Sequence, residues 1–194
     1  MPDDLRALVQ QCLAEDQSAM MELVDRFRSQ VFGLCLRMLG NRQDAEDVMQ
    51  EVFLRVFRSL RRFDINREFR PWLLAIAGNR CRTLLATRSR RPQPVTLIED
   101  SLPDGSPDWE AERHFREEVD LALGKLREEY RQAFLLFHEQ EFSYAEISAA
   151  LACPVGTVKT WIHRARGELA RELRRRGVVE EPDHELRNVR STTE

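Results

Sequence analysis

Between Thr157 and Arg166 the chain places Thr157, Lys159, Thr160, His163, Arg164 and Arg166, with no acid among them. These side chains donate and accept hydrogen bonds at several lengths. That is the chemistry of nucleic-acid contact: ammonium and guanidinium groups neutralise phosphates, while hydroxyl, imidazole and guanidinium groups reach base edges. At about 100° per residue, Val158, Ile162, Ala165 and Leu169 fall on one narrow apolar stripe. Thr160, His163, Arg164, Gly167 and Arg171 fall opposite it, flanked by Lys159 and Arg166. The elements that must hold this face are readable just upstream. Ser143 and Glu146 have the spacing of a capping box, which starts a short helix carrying Ile147, Ala150 and Leu151 inward. Cys153-Pro154 interrupts that helix, and proline suits the start of a new one running from about Val155 to beyond Leu169. Two short helices, a tight turn and a basic outer face on the second make a helix-turn-helix. The competing reading is a helical hairpin inside a core whose arginines are merely solvated. The mixture of hydrogen-bonding lengths and the near absence of acid, Glu168 apart, favour nucleic acid.

Other chemistries find no residues to carry them. Cys12, Cys35, Cys81 and Cys153 are scattered without paired spacing, and His114, His138, His163 and His184 do not join them in a ligand set. The expectation is reduced cysteines in a cytoplasmic protein with no metal, no cofactor and no catalytic residue. A glycine-rich phosphate loop and a nucleophile elbow are both missing from the sequence. No apolar run approaches the ~18 residues that span a bilayer, and no secretory signal is seen. The 194 residues are 42% hydrophobic and 32% charged, the balance of a globular chain with room for one or two cores. A net charge of −3 looks unpromising for a polyanion binder, but the charges are segregated. Arg80, Arg82, Arg88, Arg90 and Arg91 lie in an acid-free run, Lys159 to Arg176 is a second basic segment, and Glu99 to Glu112 holds acids only.

The periodicity predicts helices throughout. A short one spans residues 1–16 (Leu5, Leu8, Val9, Leu13), and a longer one spans 19–39 and ends at Gly40-Asn41. The next, about 43–60, buries a broad arc from Ala45 to Leu60, with Asp44 near its positive end. On its opposite side Asp47, Gln50, Glu51, Leu54 and Arg58 form a stripe with Leu54 nearly central, directed away from the core. That leucine is either an ordinary exposed residue or the anchor of a docking surface. After an aromatic-bounded connection (FDINREFR, 63–70), Pro71 is expected to open a helix running to about Ala86, with Trp72, Leu73, Ile76 and Leu84 inward. Ala75, Gly78, Asn79 and Arg82 share its other side, which suits close approach to a polyanion or simply a solvated face. Residues 91–112, proline-containing and acidic, read as a linker. Two more helices, about 111–126 and 129–140, lead into the helix-turn-helix, with Leu121, Leu126, Ala133, Phe134, Leu136 and Phe137 as their core. Gly177 stops the last helix. The polar tail 177–194 is expected to be disordered and is too short for a further domain.

DAEDVMQEVFLRVF (44–57), EFRPWLLAIAGNRCR (68–82), the basic run before Pro92 and FSYAEISAALACPVGTVKTWIHRARGEL (142–169) together resemble the extracytoplasmic-function class of bacterial sigma factors. The resemblance covers about residues 15–175 in order. It implies an all-α fold of two small helical domains joined by a Pro-rich acidic linker, the second a four-helix domain with a helix-turn-helix. Residues 1–91 would be region 2, 92–112 the linker and 113–176 region 4. The implied function is promoter-specific initiation with the bacterial RNA polymerase core, without enzymatic activity. Asp47, Gln50, Glu51 and Leu54 match the surface that docks on the polymerase clamp helices, and region 4 would meet the flap. Asn66, in the loop from Asp64 to Glu68, matches the place where a base flipped from the melted −10 element is caught. Asn79, Arg82 and Arg88 match the neighbouring −10 surface. Thr157, Lys159, Thr160, His163, Arg164 and Arg166 match the −35-reading face. The resemblance also implies an anti-sigma protein as a partner, and a linker whose acids (Glu99, Asp100, Asp104, Asp108) imitate nucleic acid in the polymerase cleft. Two positions depart from the pattern. Trp161 stands where an arginine is usual, and Ala152 replaces the common turn glycine, costing about 1 kcal/mol if a left-handed backbone is kept. A stand-alone helix-turn-helix regulator with an N-terminal sensor or dimerisation domain explains the C-terminal half equally well. It leaves Leu54, the 63–70 loop and the first arginine run without purpose.

Overall fold

Gly40 and Asn41 divide labour at the first long corner. Gly40 takes a left-handed φ of 67° and its N–H closes on the Leu36 carbonyl at 2.8 Å, ending one helix. The Asn41 side chain accepts from the Asp44 N–H at 3.0 Å, starting the next. The computed structural model describes residues 1–89 and 107–179. These form α1 (Asp3–Leu13), α2 (Gln17–Leu39), α3 (Arg42–Ser59), a 3-10 turn (Leu60–Arg62), α4 (Phe69–Ser89), α5 (Pro107–Lys125), α6 (Glu128–His138), α7 (Tyr144–Leu151) and α8 (Val155–Arg175). Among the described residues there is no strand, and the fold is all-α as the periodicity predicts. Glu99, Asp100, Asp104, Arg90, Arg91 and the tail from Glu180 lie outside the described residues.

Two boundaries differ from the expectation. α4 begins at Phe69, ahead of Pro71. A proline inside the first turn removes an N–H that has no intrahelical partner anyway, so it marks the turn and not its first residue. α5 begins at Pro107, within the stretch read as linker, so helix is already formed before the acidic run ends.

The N-terminal half is built on α2, α3 and α4. Leu23, Phe27, Val31, Leu34 and Met38 face Val48, Val52, Val56, Phe69, Leu73, Leu74 and Ala77, all buried. Phe63, Phe69 and Trp72 cluster with ring centroids 4.7–5.5 Å apart, closing the 63–70 connection onto the core. In the C-terminal half Leu123, Leu126, Ala133, Leu136, Ile147, Val158, Ile162 and Ala165 are buried together. Leu121, Phe134 and Phe137, expected in that core, are only half-buried.

The halves also pack on each other, α6 against α2 and α4, and α7 against α4. Arg131 is the buried centre of this contact. Its guanidinium donates to the Met38 carbonyl (2.5 Å), and to those of Gly124 (2.7 Å) and Leu126 (3.2 Å). Those carbonyls lie at or just beyond the ends of α2 and α5, where helix termini leave acceptors unfilled and the dipole favours a cation. Burial holds the Arg131 pKa below its ordinary value, so this cation resides there only because several carbonyls surround it. Around it, Arg37 of α2 bridges Asp120 and Glu139. Arg70 donates to Gln30 (2.9 Å) and Gln140 (3.0 Å) beneath the Phe142 ring.

Candidate nucleic-acid interface

The helix-turn-helix is held as its sequence dictates. The Ser143 hydroxyl accepts from the Glu146 N–H (3.2 Å), and the Glu146 carboxylate accepts from the Ser143 N–H (2.8 Å), completing the capping box. The turn is left-handed at Ala152 (φ 52°, ψ 43°), a strained conformation for a residue with a Cβ. The Ser148 hydroxyl donates to the Cys153 carbonyl at 2.5 Å and braces the corner from inside. Val158, Ile162, Ala165 and Leu169 are buried as the periodicity predicts, which turns Lys159, Thr160, His163, Arg164 and Arg166 outward; Thr157 is half-buried in the first turn. Trp161 is half-buried and packs on the core.

Not all of that face is equally available. The Thr160 hydroxyl donates back to the Gly156 carbonyl at 2.8 Å, leaving its lone pairs outward. Arg164 donates to the Tyr130 hydroxyl at 2.9 Å, so α6 fixes its direction. Arg166 donates to His138 Nε2 at 3.0 Å and lies over the Phe137 ring. The sequence reading missed both supports, Tyr130 and His138, because they sit on another helix with no spacing relation to α8. His138 lies between the Phe134 and Phe137 rings, and partial burial, with Arg166 beside it, lowers its pKa from the ordinary 6.5.

On α3, Asp47, Gln50 and Leu54 are exposed along one stripe, Leu54 at 56%. Glu51 shares the stripe but is tied to Arg80 of α4, whose guanidinium holds the carboxyl below the usual range. Asn66 is exposed in the loop, where its N–H donates to the Asp64 carboxylate at 3.0 Å. The remaining −10 candidates are not gathered into one open face. Asn79 is exposed and Arg82 half-buried, its guanidinium 3.5 Å from Asn79 Oδ1 and 3.4 Å from Gln132 Oε1. Arg88 makes a bidentate pair with Asp44 at the start of α3, one bond being 2.5 Å. Ala75 and Gly78, on the side expected to suit a polyanion or a solvated face, are both buried, Gly78 against the Gln132 side chain.

Among the described residues no group of three or more His, Cys, Asp or Glu side chains could hold a metal ion. The buried Cys35 thiol is pushed up by its hydrogen bond with Cys81 and by burial, the opposite of an activated nucleophile. Among them, too, no helix is long and apolar enough to cross a membrane.

Known proteins show the same order of parts. Residues 23–91 match sigma-70 region 2, and residues 116–169 match sigma-70 region 4. The ECF RNA polymerase sigma factor SigW of Bacillus subtilis is 34% identical over 185 residues, covering 88% of this chain and 97% of that one. The chain belongs to the ECF sigma factors. The RNA polymerase sigma-H factor of Pseudomonas aeruginosa is 32% identical, covering 86% of this sigma factor and 92% of its own length. The solved structure of CnrH in complex with the cytosolic domain of CnrY superposes with a TM-score of 0.67 at 28% identity, covering 88% of this chain and 97% of CnrH. RpoE from Bartonella quintana, solved with the anti-sigma factor NepR, shares the fold with a TM-score of 0.66 at 21% identity, covering 79% of this chain and 96% of RpoE. Because region 2 matches most of the first 91 residues, a regulator with an unrelated N-terminal sensor is set aside.

Proposed function

We propose that this sigma factor binds the bacterial RNA polymerase core through Asp47, Gln50, Glu51 and Leu54 on α3, and carries it to promoters as a non-catalytic cytoplasmic subunit. Region 2, residues 1–91, is assigned the −10 element through Asn66, Asn79, Arg82 and Arg88. Region 4, residues 113–176, is assigned the −35 element through Thr157, Lys159, Thr160, His163, Arg164 and Arg166. The observation that carries the reading is Leu54. It is 56% exposed in the middle of a polar stripe, on the side of α3 away from the core, in a chain that also holds a basic reading helix. An apolar anchor within a polar rim is the usual composition of an interface centre.

Held apart on the polymerase, two weak DNA contacts become tight by coupling. Melting needs no chemistry from the protein, since a base opened by fluctuation is trapped when a pocket holds it better than the solvent does. An anti-sigma protein is the further partner assigned, as RpoE is solved with the anti-sigma factor NepR; CnrH is solved with the cytosolic domain of CnrY. The test is run-off transcription by core polymerase on a promoter library, with and without the chain. Specific start sites are expected only with it. A chain that neither binds core in a pull-down without DNA nor yields run-off product refutes the reading.

A further inference from the structure

We propose that His138 of α6 is a positioning residue for −35 reading: its neutral imidazole aims Arg166 at a base edge, and protonation of the ring releases the arginine and blurs the preference. This rests on the assignment of Arg166 and its neighbours on α8 to the −35 element, and adds a specificity-determining residue to that face. Phe134, His138, Phe137 and Tyr144 stand ring to ring in a row, with centroids 4.4, 5.0 and 4.8 Å apart in turn. The reading helix lays two of its cations over this row. Arg166 lies 5.4 Å from the Phe137 ring centre and the Lys159 ammonium 5.6 Å from that of Tyr144. His138 adds what the hydrocarbon rings cannot. Its Nε2 accepts from the Arg166 Nε–H at 3.0 Å. A ring nitrogen that accepts carries no proton, so the imidazole is neutral with its hydrogen on Nδ1. Because the bond uses Nε, the two Nη groups of this exposed arginine are left for a partner, and that pair can take both acceptors of a guanine edge at once.

Protonation removes the acceptor and sets a second positive charge against the guanidinium, so the contact turns from attraction to repulsion. The surroundings oppose that step. Partial burial comes first, then Arg166 of α8, and both disfavour the charged ring. Glu139, its neighbour on α6, favours the charge but is taken by Arg37 of α2. Phe134 and Phe137 flank the imidazole without charge, and Tyr144 of α7 stands one ring further along with Lys159 over it. Arg164 is held by the Tyr130 hydroxyl and does not depend on the imidazole proton. Loss of aim on acidification is therefore confined to the base pair that Arg166 reads.

The test uses holoenzyme reconstituted from core polymerase and the full-length chain, as parent, His138→Phe and His138→Gln. Phenylalanine keeps a ring in the row without the acceptor, and glutamine keeps an acceptor that does not titrate. The probes are a fluorescein-labelled duplex obtained by binding-site selection at pH 7.5 and a second duplex with the same bases shuffled in its −35 element. The measured quantity is the ratio of the two affinities between pH 7.5 and 5.5. His138→Gln subtracts every other effect of acid, on His163 of the same face and on the polymerase alike. The parent's ratio is expected to fall about two- to tenfold further than that of His138→Gln, the factor that immobilising one long side chain costs when the protein has not already done so. His138→Phe should show the reduced ratio already at pH 7.5, where His138→Gln matches the parent. Nitrogen-15 NMR of the parent chain should find Nε2 of His138 unprotonated at pH 7.5, a reading independent of how either variant folds. A proton on that nitrogen overturns the proposal, as does an equal loss on both duplexes or a parent ratio that falls no further than that of His138→Gln. A selected −35 sequence that His138→Phe reads as well as the parent leaves the function standing and removes the proposal alone. Selection that returns no preferred −35 sequence with the parent removes the function and the proposal with it.

Discussion

Replacing Leu54 tests the docking surface with little risk to the fold. Complete burial of a leucine side chain is worth about 1.5–3 kcal/mol, and 56% of this one is still open, so docking can gain about 1–1.5 kcal/mol here. Leu54→Ala keeps only the β-carbon and is expected to lose about 1 kcal/mol, roughly fivefold in Kd for core polymerase. Leu54→Asp places an unpaired carboxylate in the contact, beside Asp47 and Glu51, and is expected to lose about 3 kcal/mol, roughly a hundredfold. The free chain should hardly notice either change, because an exposed position away from caps and ion pairs moves stability by about 0.5 kcal/mol or less. The assay is equilibrium binding of labelled chain to core polymerase without DNA, paired with thermal melts of each variant alone. Run-off activity should fall in step with affinity and return when the variant is added in excess, since the defect is in occupancy and not in promoter reading. If Leu54→Asp binds like the parent while folded, α3 does not dock by this face. If Leu54→Ala instead lowers the melting temperature by several degrees, the leucine serves packing and the reasoning from its exposure is wrong.

Ala152→Gly relieves a left-handed residue (φ 52°) that penalises a Cβ by about 1–2 kcal/mol, less the ~0.4–1 kcal/mol that glycine adds to unfolded-chain freedom. The net gain of about 0.5–1 kcal/mol should raise the melting temperature by roughly 1–4 °C; a decrease would mean the turn is not strained. Arg164→Ala is expected to weaken promoter binding by about 1–3 kcal/mol and relax preference at one base pair, whereas equal loss on every sequence would assign it to phosphate. Tyr130→Phe removes the hydroxyl that aims Arg164 and should weaken the same base preference by a smaller factor, read out by the same binding-site selection. His138 gives a pH prediction. Its pKa in the folded chain is below the ordinary 6.5, so the unfolded chain takes the proton first. Its contribution is therefore full above about pH 6.5 and lost as the pH falls from there through the lowered value. Melts between pH 7.5 and 5.5 should show this loss in the parent and a flatter profile in His138→Gln.

The elements of α7 and α8 were legible because their determinants are local: a capping box, a proline at the break and an apolar stripe at helical spacing. Leu54 was legible for the same reason, since the period that buries Val48, Val52 and Val56 also puts it on the far side of α3. Arg131 was not. Its neighbours in sequence say only that it lies on a helix, and what makes a buried guanidinium tolerable is the convergence of carbonyls from α2 and α5, which no spacing on α6 encodes. Gly78 lies between these cases. Small residues beside Asn and Arg on a helix face suit close approach to a polyanion or simply a solvated face, and the sequence leaves both open. In the structure the group that comes close is the carboxamide of Gln132 on α6, which no spacing on α4 encodes.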